Sequence, residues 1–446
     1  MTSKTMHIGI DDTDSTRKGC TTYVAALLVE RLQKLGCAFI DYPNLIRLNP
    51  NVPWKTRGNG ALCLRIEYDE NIEETIKETV MHTVEQNADL DFHGTDPGVV
   101  FFTRTKIPKD VKIFARKAVT GIVSLKDAKR LLARFNCEAV GFKGGRGIIG
   151  GLAAVGENLQ ADHTYEILAY RTPENRGSKR RVDETSIFEM DKATAPGTFN
   201  NVDVEKGRVV ITPRGPDPIL FGIRGETPEI VKKAFGMVKS FEPIERWMIF
   251  RTNQGTDAHL KRVANLSQMR PYSSVIAKGI VSANPKIVPR RHVIFSIRDE
   301  SGSVDCAAYE PTGALTHVAR NLIIGDQLEV HGSVRKYSRR RPLTLNLEKI
   351  KLLKLAPTIV YHNPLCPKCG KRLKSMGSGQ GFRCDSCGLK SHDLMKVEVN
   401  VKREVHRGLY VTSTRSQRHL TKPLTRYGME KHNERFEGLI DYWHSP

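Results

Sequence analysis

Short apolar runs and stretches of helical spacing alternate through the first half of the chain. Met6–Ile10 (MHIGI) reads as a buried strand. Tyr23, Val24, Leu27, Leu28, Leu32 and Leu35 then recur at helical spacing, so the pattern predicts a helix over Cys20–Leu35, closed by Gly36. A loop over Asn49–Gly60 gives way to an alternating strand at Ala61–Tyr68. Glu70–Asn87 is helix-like, and HGTDPGVVFF is a turn followed by a strand. GFKGGRGIIGGLAAVG places seven glycines between Gly141 and Gly156, ahead of a strand at Thr164–Tyr170 and the basic, loop-like RTPENRGSKRR. This alternation of α and β elements groups residues 1–195 into one α/β unit.

Residues 196–270 read as a smaller α+β unit, with strands at Arg208–Thr212 and Arg246–Thr252 around a helix that Thr227 caps and Pro228 opens. The period then changes. Between 271 and 356 there are five short alternating strands, with one helix near 313–322 between the third and fourth. That is the order of an OB-fold barrel, with a generic small barrel as the plainer alternative. Residues 357–400 hold a cysteine ribbon and 401–446 a basic tail. The expected architecture is multidomain, α/β followed by β.

A length of 446 residues exceeds what one core accommodates and agrees with several modules. Charge changes the picture more. Lys and Arg total 70 against 49 Asp and Glu, a formal +21 that points to a polyanionic partner, nucleic acid above all. No apolar run is long enough to span a membrane, and MTSKTMHIGIDDTD lacks the apolar core of a leader, so a cytoplasmic location without membrane association is expected. Five of the nine cysteines, Cys20, Cys37, Cys63, Cys137 and Cys306, are scattered as reduced thiols would be.

The other four form CPKCG and CDSCG, with 14 residues between Cys369 and Cys384. Each knuckle presents two thiolates to one ion, so Cys366, Cys369, Cys384 and Cys387 make a closed, structural zinc site. GIDDTDSTRKGCTT, Gly9–Thr22, sets Asp11, Asp12 and Asp14 at the end of a strand just before a helix N-terminus. Carboxylates for Mg²⁺ and helix amides for phosphate would make a nucleotide site; a turn-and-cap cluster would use the same residues. Lys143, Gly144, Gly145, Arg146 and Gly147 offer cations and open amides to phosphate. Their alternative is a glycine-lined helix–sheet contact, strongest at Gly150 and Gly151, and no Walker A spacing follows. Lys55 and Arg57 in KTRGNG would bind phosphate or RNA. Candidate RNA contacts are Tyr337, Arg339, Arg340 and Arg341 in the basic loop RKYSRRRP, with Tyr410, Arg418, His419 and Lys422 in the tail. On this reading, removing the tail weakens RNA binding and flattens its salt dependence.

GIDDTDS with CTT, RLNPNVPWKTRGNG, DPGVV, GRGIIGGLAAVG, FGIRGE, RTNQGTDAHL, the Cys₄ ribbon and RHLTKPL occur in this order along nearly the whole chain. In that order they resemble the archaeal 2-agmatinylcytidine synthetases that act on a minor isoleucine tRNA. The resemblance implies a kinase-like domain, a ferredoxin-like domain, an OB-fold and a zinc ribbon. It implies an ATP-dependent ligase that attaches agmatine to C2 of the wobble cytidine in the CAU anticodon, so that the anticodon reads AUA codons. The cytidine O2 is a poor leaving group. The resemblance implies its phosphorylation from the γ-phosphate, with AMP as the nucleotide product, before the amine attacks C2. By the same resemblance, Asp11, Asp12 and Asp14 carry the Mg²⁺–ATP chemistry and Thr21 is autophosphorylated, with Thr22 as its control. Arg17 and Lys18 either bind phosphate or offset the acids. Dicationic agmatine calls for carboxylates or carbonyls, and Asp217, Glu226 and Asp257 in the second unit are candidates.

Two other readings compete. A non-catalytic RNA-binding protein regulated by nucleotide would carry the same barrel, ribbon and tail, and a small-molecule kinase would leave those modules without a purpose. Asp11–Asp14 with Thr21 discriminate between them.

Overall fold

The computed structural model describes residues 3–336, 343–432 and 436–445. Its body is a ten-stranded sheet made of two halves. In one, Glu138–Gly141, Gly98–Phe102, Ser3–Asp11, Gly60–Asp69 and Asn44–Arg47 lie side by side, with the short strand Ala38–Phe39 pairing to Gly60–Asp69 off this row. In the other, Ile244–Thr252, Thr164–Arg171, Ile219–Gly225 and Thr198–Phe199 follow in that order. The seam between them is parallel and short, pairing Asn44 with Arg251 and Leu45 with Thr252. The strand Thr164–Arg171, grouped with residues 1–195 on sequence, hydrogen-bonds on both sides to strands of the 196–270 segment. Local alternation assigns a strand to its neighbours in sequence, whereas pairing assigns it to its neighbours in space.

The first strand is buried on both faces: Met6, Ile8 and Ile10 meet the helices Thr21–Lys34 and Glu73–Asn87, and His7 and Gly9 face the other side. On that other side lies a helix, Gly147–Gly156. A Cβ on Gly9 would sit 2.1 Å from the Gly151 carbonyl, and one on Gly98 would sit 2.0 Å from the Ile148 nitrogen. The glycine-rich run is therefore mostly a helix pressed onto bare stretches of sheet, and the helix–sheet alternative holds from Gly147 onward. Three helices fall in segments that the sequence reading passed over: Lys109–Thr120, Leu125–Arg134 and Glu184–Thr194. Val111, Phe114, Ala115, Ala118 and Val119 form the buried stripe of the first.

The barrel strands are Ser274–Val288, His292–Asp299, Gly302–Ala308, Gln327–Arg335 and Thr344–Lys354, with the helix Ala314–Arg320 between the third and fourth. Ser274–Val288 pairs with Gln327–Arg335, and Gly302–Ala308 pairs with Thr344–Lys354, closing an OB barrel as the sequence order implies. Ile359–His362 and Val397–Asn400 pair as a two-stranded stalk that carries the ribbon.

The C-terminal segment is not a free basic arm. Gly408–Val411 adds a strand to the barrel, and Trp443 packs edge-on against Tyr42 in the core of the body. Between these anchors, Arg415 pairs with Asp203 and Glu205, Lys422 with Glu430, and Arg426 with Glu226 and Asp162. Arg403 pairs with Asp326. Net charge counts these cations as available, but intramolecular carboxylates neutralise them, and the segment is a strap binding barrel to body. Lys402 and Arg407 remain exposed.

Candidate active site

At the seam lies a cavity of about 340 Å³ lined by both half-sheets and by the strap. Asp11 ends the first strand, and Asp12, at φ 61°, turns the chain at once, so Asp14 comes back to the same cavity wall. Arg146 Nη2 donates to Asp12 at 2.9 Å and Arg57 Nε to Asp14 at 2.7 Å. Asp11 has no ion-pair partner among the described residues. Its carboxylate lies on Gly150, where a Cβ would be 1.8 Å from Oδ2. Burial raises the proton affinity of all three acids; the neighbouring Asp12 and Asp14 push Asp11 well above the usual carboxylate range. Arg146 and Arg57 moderate the effect on Asp12 and Asp14. Three desolvated carboxylates with two guanidiniums between them concentrate negative charge on one wall, although among the described residues only the ribbon cysteines bring three or more ligand atoms within 4.8 Å of one another.

Thr21 is the first residue of the helix Thr21–Lys34, whose N-cap, Cys20, provides no side-chain bond, so no cap satisfies its first amides, and Cys20, Thr21 and Thr22 line the cavity. The Thr13 hydroxyl donates to Thr21 Oγ1 at 3.0 Å. Thr22 Oγ1 instead lies 3.0 Å from Cys20 Sγ. The two adjacent threonines therefore differ in their surroundings. Arg17 and Lys18 face Asp89, at 2.9 and 3.5 Å, and do not offset the cluster.

The phosphate candidates divide. Lys55, Arg57 and Arg146 line the cavity. Lys143 does not; its Nζ donates to the Leu90 and Phe92 carbonyls at 2.9 and 2.8 Å. The Gly145 and Gly147 amides donate to the side chain and carbonyl of Asp96, and Gly144 also stands against that side chain. Those amides cannot cradle a phosphate in this arrangement, because Asp96 already occupies them. Arg57 also donates to Asp217 at 3.1 Å and to the Gly19 carbonyl at 2.6 Å, which ties the cluster to the second half-sheet.

Of the agmatine candidates, Asp217 lines the cavity, held by Arg57 and by Arg180 at 3.2 Å. Glu226 and Asp257 lie elsewhere. Glu226 is buried against Arg426 and Lys431, and Asp257 accepts from the Lys349 ammonium and, at 2.7 Å, from the Lys422 amide. Both are clasps for the strap.

Among the RNA candidates, Tyr337, Arg339, Arg340 and Arg341 lie outside the described residues. The Tyr410 hydroxyl donates to the His406 carbonyl at 2.9 Å, and Lys422 is buried with Glu430 and Asp162. His419 enters the cavity wall, its Nδ1 2.9 Å from both Arg224 Nη2 and Gln254 Oε1. Burial among Arg47, Arg224 and Lys55 holds its pKa well below the ordinary value, so the ring is neutral. The sequence reading missed Arg47, Glu166, Arg224 and Trp54 in the same wall. Trp54 stands 48% exposed, and its signal was available: an aromatic between proline and lysine in a polar loop.

In the ribbon, ligand atoms of Cys366, Cys369, Cys384 and Cys387 lie within 4.8 Å of one another, with Sγ–Sγ separations of 3.5 and 3.4 Å in two pairs. Tetrahedral zinc thiolates stand about 3.8 Å apart, so the four sulfurs fit one Zn²⁺. Among the described residues no helix is long and apolar enough to cross a membrane.

An acid-lined cavity in an α/β body, joined to an OB barrel and a Cys₄ ribbon, is the architecture of an enzyme that works on nucleic acid. Family models agree along the chain: the TiaS TCKD domain matches residues 7–144 and the TiaS FLD domain 145–259. An OB-fold nucleic acid binding domain matches 275–353 and the TiaS C-terminal zinc ribbon domain 363–405. The isoleucine-tRNA 2-agmatinylcytidine synthetase TiaS of Methanosarcina acetivorans is 44% identical over 94% of this chain and 97% of its own. A crystal structure of TiaS in complex with its isoleucine tRNA and ATP superimposes with a TM-score of 0.84 at 40% identity, covering 98% of this chain and 99% of that one. A complex of TiaS with the same tRNA, AMPCPP and agmatine gives 0.83 at 39% identity, with the same coverage. The chain belongs to the TiaS family of isoleucine-tRNA 2-agmatinylcytidine synthetases.

Proposed function

We propose that this protein is an ATP-dependent ligase that joins agmatine to C2 of the wobble cytidine in the CAU anticodon of the minor isoleucine tRNA. The observation that carries this reading is the convergence of Asp11, Asp12, Asp14, Thr21, Arg57 and Arg146 in one cavity at the seam of the sheet. Relatives crystallised with that tRNA, ATP or its analogue, and agmatine support it.

Asp11, Asp12 and Asp14 would hold Mg²⁺, which supplies charge neutralisation for a polyphosphate. Arg146 and Arg57 orient Asp12 and Asp14 by the hydrogen bonds given above. The open amides at the start of the Thr21–Lys34 helix would attract phosphate oxygens, and Thr21, whose Oγ1 accepts from the Thr13 hydroxyl at 3.0 Å, lines the same cavity and would be the autophosphorylated residue. In the reaction the γ-phosphoryl group would pass from ATP to the cytidine O2, and water would take the β-phosphoryl group of the ADP left behind, giving AMP and phosphate. The amine of agmatine then adds to C2, and the C2–O2 bond breaks with phosphate leaving. Asp217 and Glu166 are the cavity carboxylates beyond the cluster and direct cationic agmatine to the second half-sheet. The reaction belongs in the cytoplasm, where tRNA is decoded.

Incubating the protein with ATP, Mg²⁺, agmatine and the unmodified isoleucine tRNA, then weighing the wobble nucleoside, tests the proposal. The expected result is cytidine converted to 2-agmatinylcytidine, dependent on all four components. An unchanged nucleoside in the presence of bound tRNA would overturn it.

A further inference from the structure

Beside the catalytic cavity, and sharing Arg47, Lys55, Arg57 and His419 with it, runs a second cleft of about 360 Å³. Arg418 completes its charged lining, and none of its described lining residues is a carboxylate. Arg57 is engaged by Asp14 and Asp217, and Arg418 donates to Asn51 at 2.6 Å with Glu348 at 3.7 Å. Arg47 is different. Its Nε is buried without a hydrogen-bond partner, and the carboxylate that reaches it, Glu166, stands off at 3.9 Å while accepting from Arg224 at 2.9 Å and from Gln254.

A guanidinium largely out of water with a buried donor unmet is costly, yet its placement is built. Asn253 grips the Arg47 backbone on both sides, accepting from its amide at 2.8 Å and donating to its carbonyl at 3.0 Å. Gly58 and Gly60 clear the space around it, since a Cβ there would lie 2.7 and 2.9 Å from Nη1. Lys55 crowds the same cleft with Arg418 although the two repel, and burial with that repulsion lowers the Lys55 pKa. Planar guanidinium donors of this kind match phosphate oxygens two at a time.

We infer that Arg47, with Lys55 and Arg418, forms a phosphate site for an RNA backbone phosphodiester next to the nucleotide that enters the cavity. The inference rests on the proposed RNA substrate. The polyphosphate of ATP has the same chemistry, but the acidic cluster and helix N-terminus provide for it at another part of the cavity wall. The far wall of the cleft, Gln417–Leu420, belongs to the strap that runs in from the OB barrel.

The test measures binding of an anticodon stem-loop across a salt series, without ATP or agmatine, for wild type, Arg47→Gln and Lys55→Gln. Arg47→Gln is expected to weaken binding roughly fivefold to tenfold and to reduce the slope of log K against log salt by about 0.7. Lys55→Gln, at an exposed side chain whose amide can keep the hydrogen bond that the ammonium donates to the Arg57 carbonyl at 2.9 Å, moves both in the same direction by less. Uncharged methylphosphonate links flanking the wobble nucleotide should impose the same loss on wild type and little further loss on Arg47→Gln. Unchanged slopes in both variants would overturn the site, as would a loss in ATP affinity, measured without RNA, in place of RNA affinity. If Arg47→Gln does not fold, an unchanged slope for Lys55→Gln is sufficient to overturn it. Because no turnover is read, RNA bound through this cleft without any 2-agmatinylcytidine formed would sink the proposed function and leave the site standing.

Discussion

Asp11, Asp12 and Asp14 share two arginines, Arg146 and Arg57, among three carboxylates, whereas Asp162, Glu226 and Asp257 face Arg426, Lys431, Lys422 and Lys349. Both groups are acidic clusters lying between elements far apart in sequence. The second is neutralised by the chain itself and holds the strap onto the body. The first is left under-compensated, and burial raises the proton affinity of each member. Charges that the fold satisfies are structural; charges that it concentrates without satisfying await a ligand.

The largest expected effect that separates the two is on turnover. Asp12→Asn should lower product formation at least about a thousandfold, with tRNA affinity within about twofold of wild type; turnover assays beside filter binding check this. The mirror experiment is Arg426→Ala, which strands Glu226 and Asp162 around a side chain that is 0% exposed. It should cost about 3–5 kcal/mol in urea unfolding, and the double variant Arg426→Met with Glu226→Gln should recover much of the loss.

Smaller and opposite in sign is Asp11→Asn in metal-free protein. Removing one crowded carboxylate should raise stability by about 1–2 kcal/mol while abolishing turnover. The pH dependence distinguishes the clusters in the same way. Asp11 has a folded-state pKa above its unfolded value, so its penalty is full above that raised pKa and is relieved as pH falls through it. Glu430, held down to about 2 by Lys422, does the reverse: its contribution is present above the ordinary carboxylate range and is lost as pH falls through about 2. Thermal unfolding of metal-free protein from pH 8 to pH 5 should therefore show wild type gaining stability relative to Asp11→Asn as pH falls, while protonation of the buried neutral His7, His163 and His419 lowers both proteins alike. The smallest effect concerns the ribbon. Chelating zinc should abolish amide-exchange protection around Cys366–Cys387 and leave the midpoint of the body unchanged, since its small core, built on Leu373 and Phe382, is separate.

The OB barrel and the ribbon were legible because local patterns define them. Strand alternation with one helix after the third strand, and two Cys-x-x-Cys-Gly knuckles, need no distant partner to be recognised. That Asp11, Asp12, Asp14 and Thr21 share one cavity wall was legible because they lie within eleven residues of one another. Glu226, Asp257 and Lys422 were misjudged because their partners lie far off in sequence: Arg426 is 200 residues from Glu226, and Asp257 is 165 from Lys422. Arg47 and Glu166 carried no local signal, since each is one charge in an apolar strand, and only sheet pairing brings them to one wall.

By itself the sequence determined the period of each element, the spacing of the zinc ligands, the acidic turn before a helix and the excess of positive charge, all of which are properties of neighbouring residues. The tertiary structure decided which of those charges remain available. Coulombic pairing and desolvation depend on distance through space, and the same lysine or arginine is a strap when a carboxylate meets it closely and the proposed ligand site where, as at Arg47, the nearest carboxylate stands off at 3.9 Å.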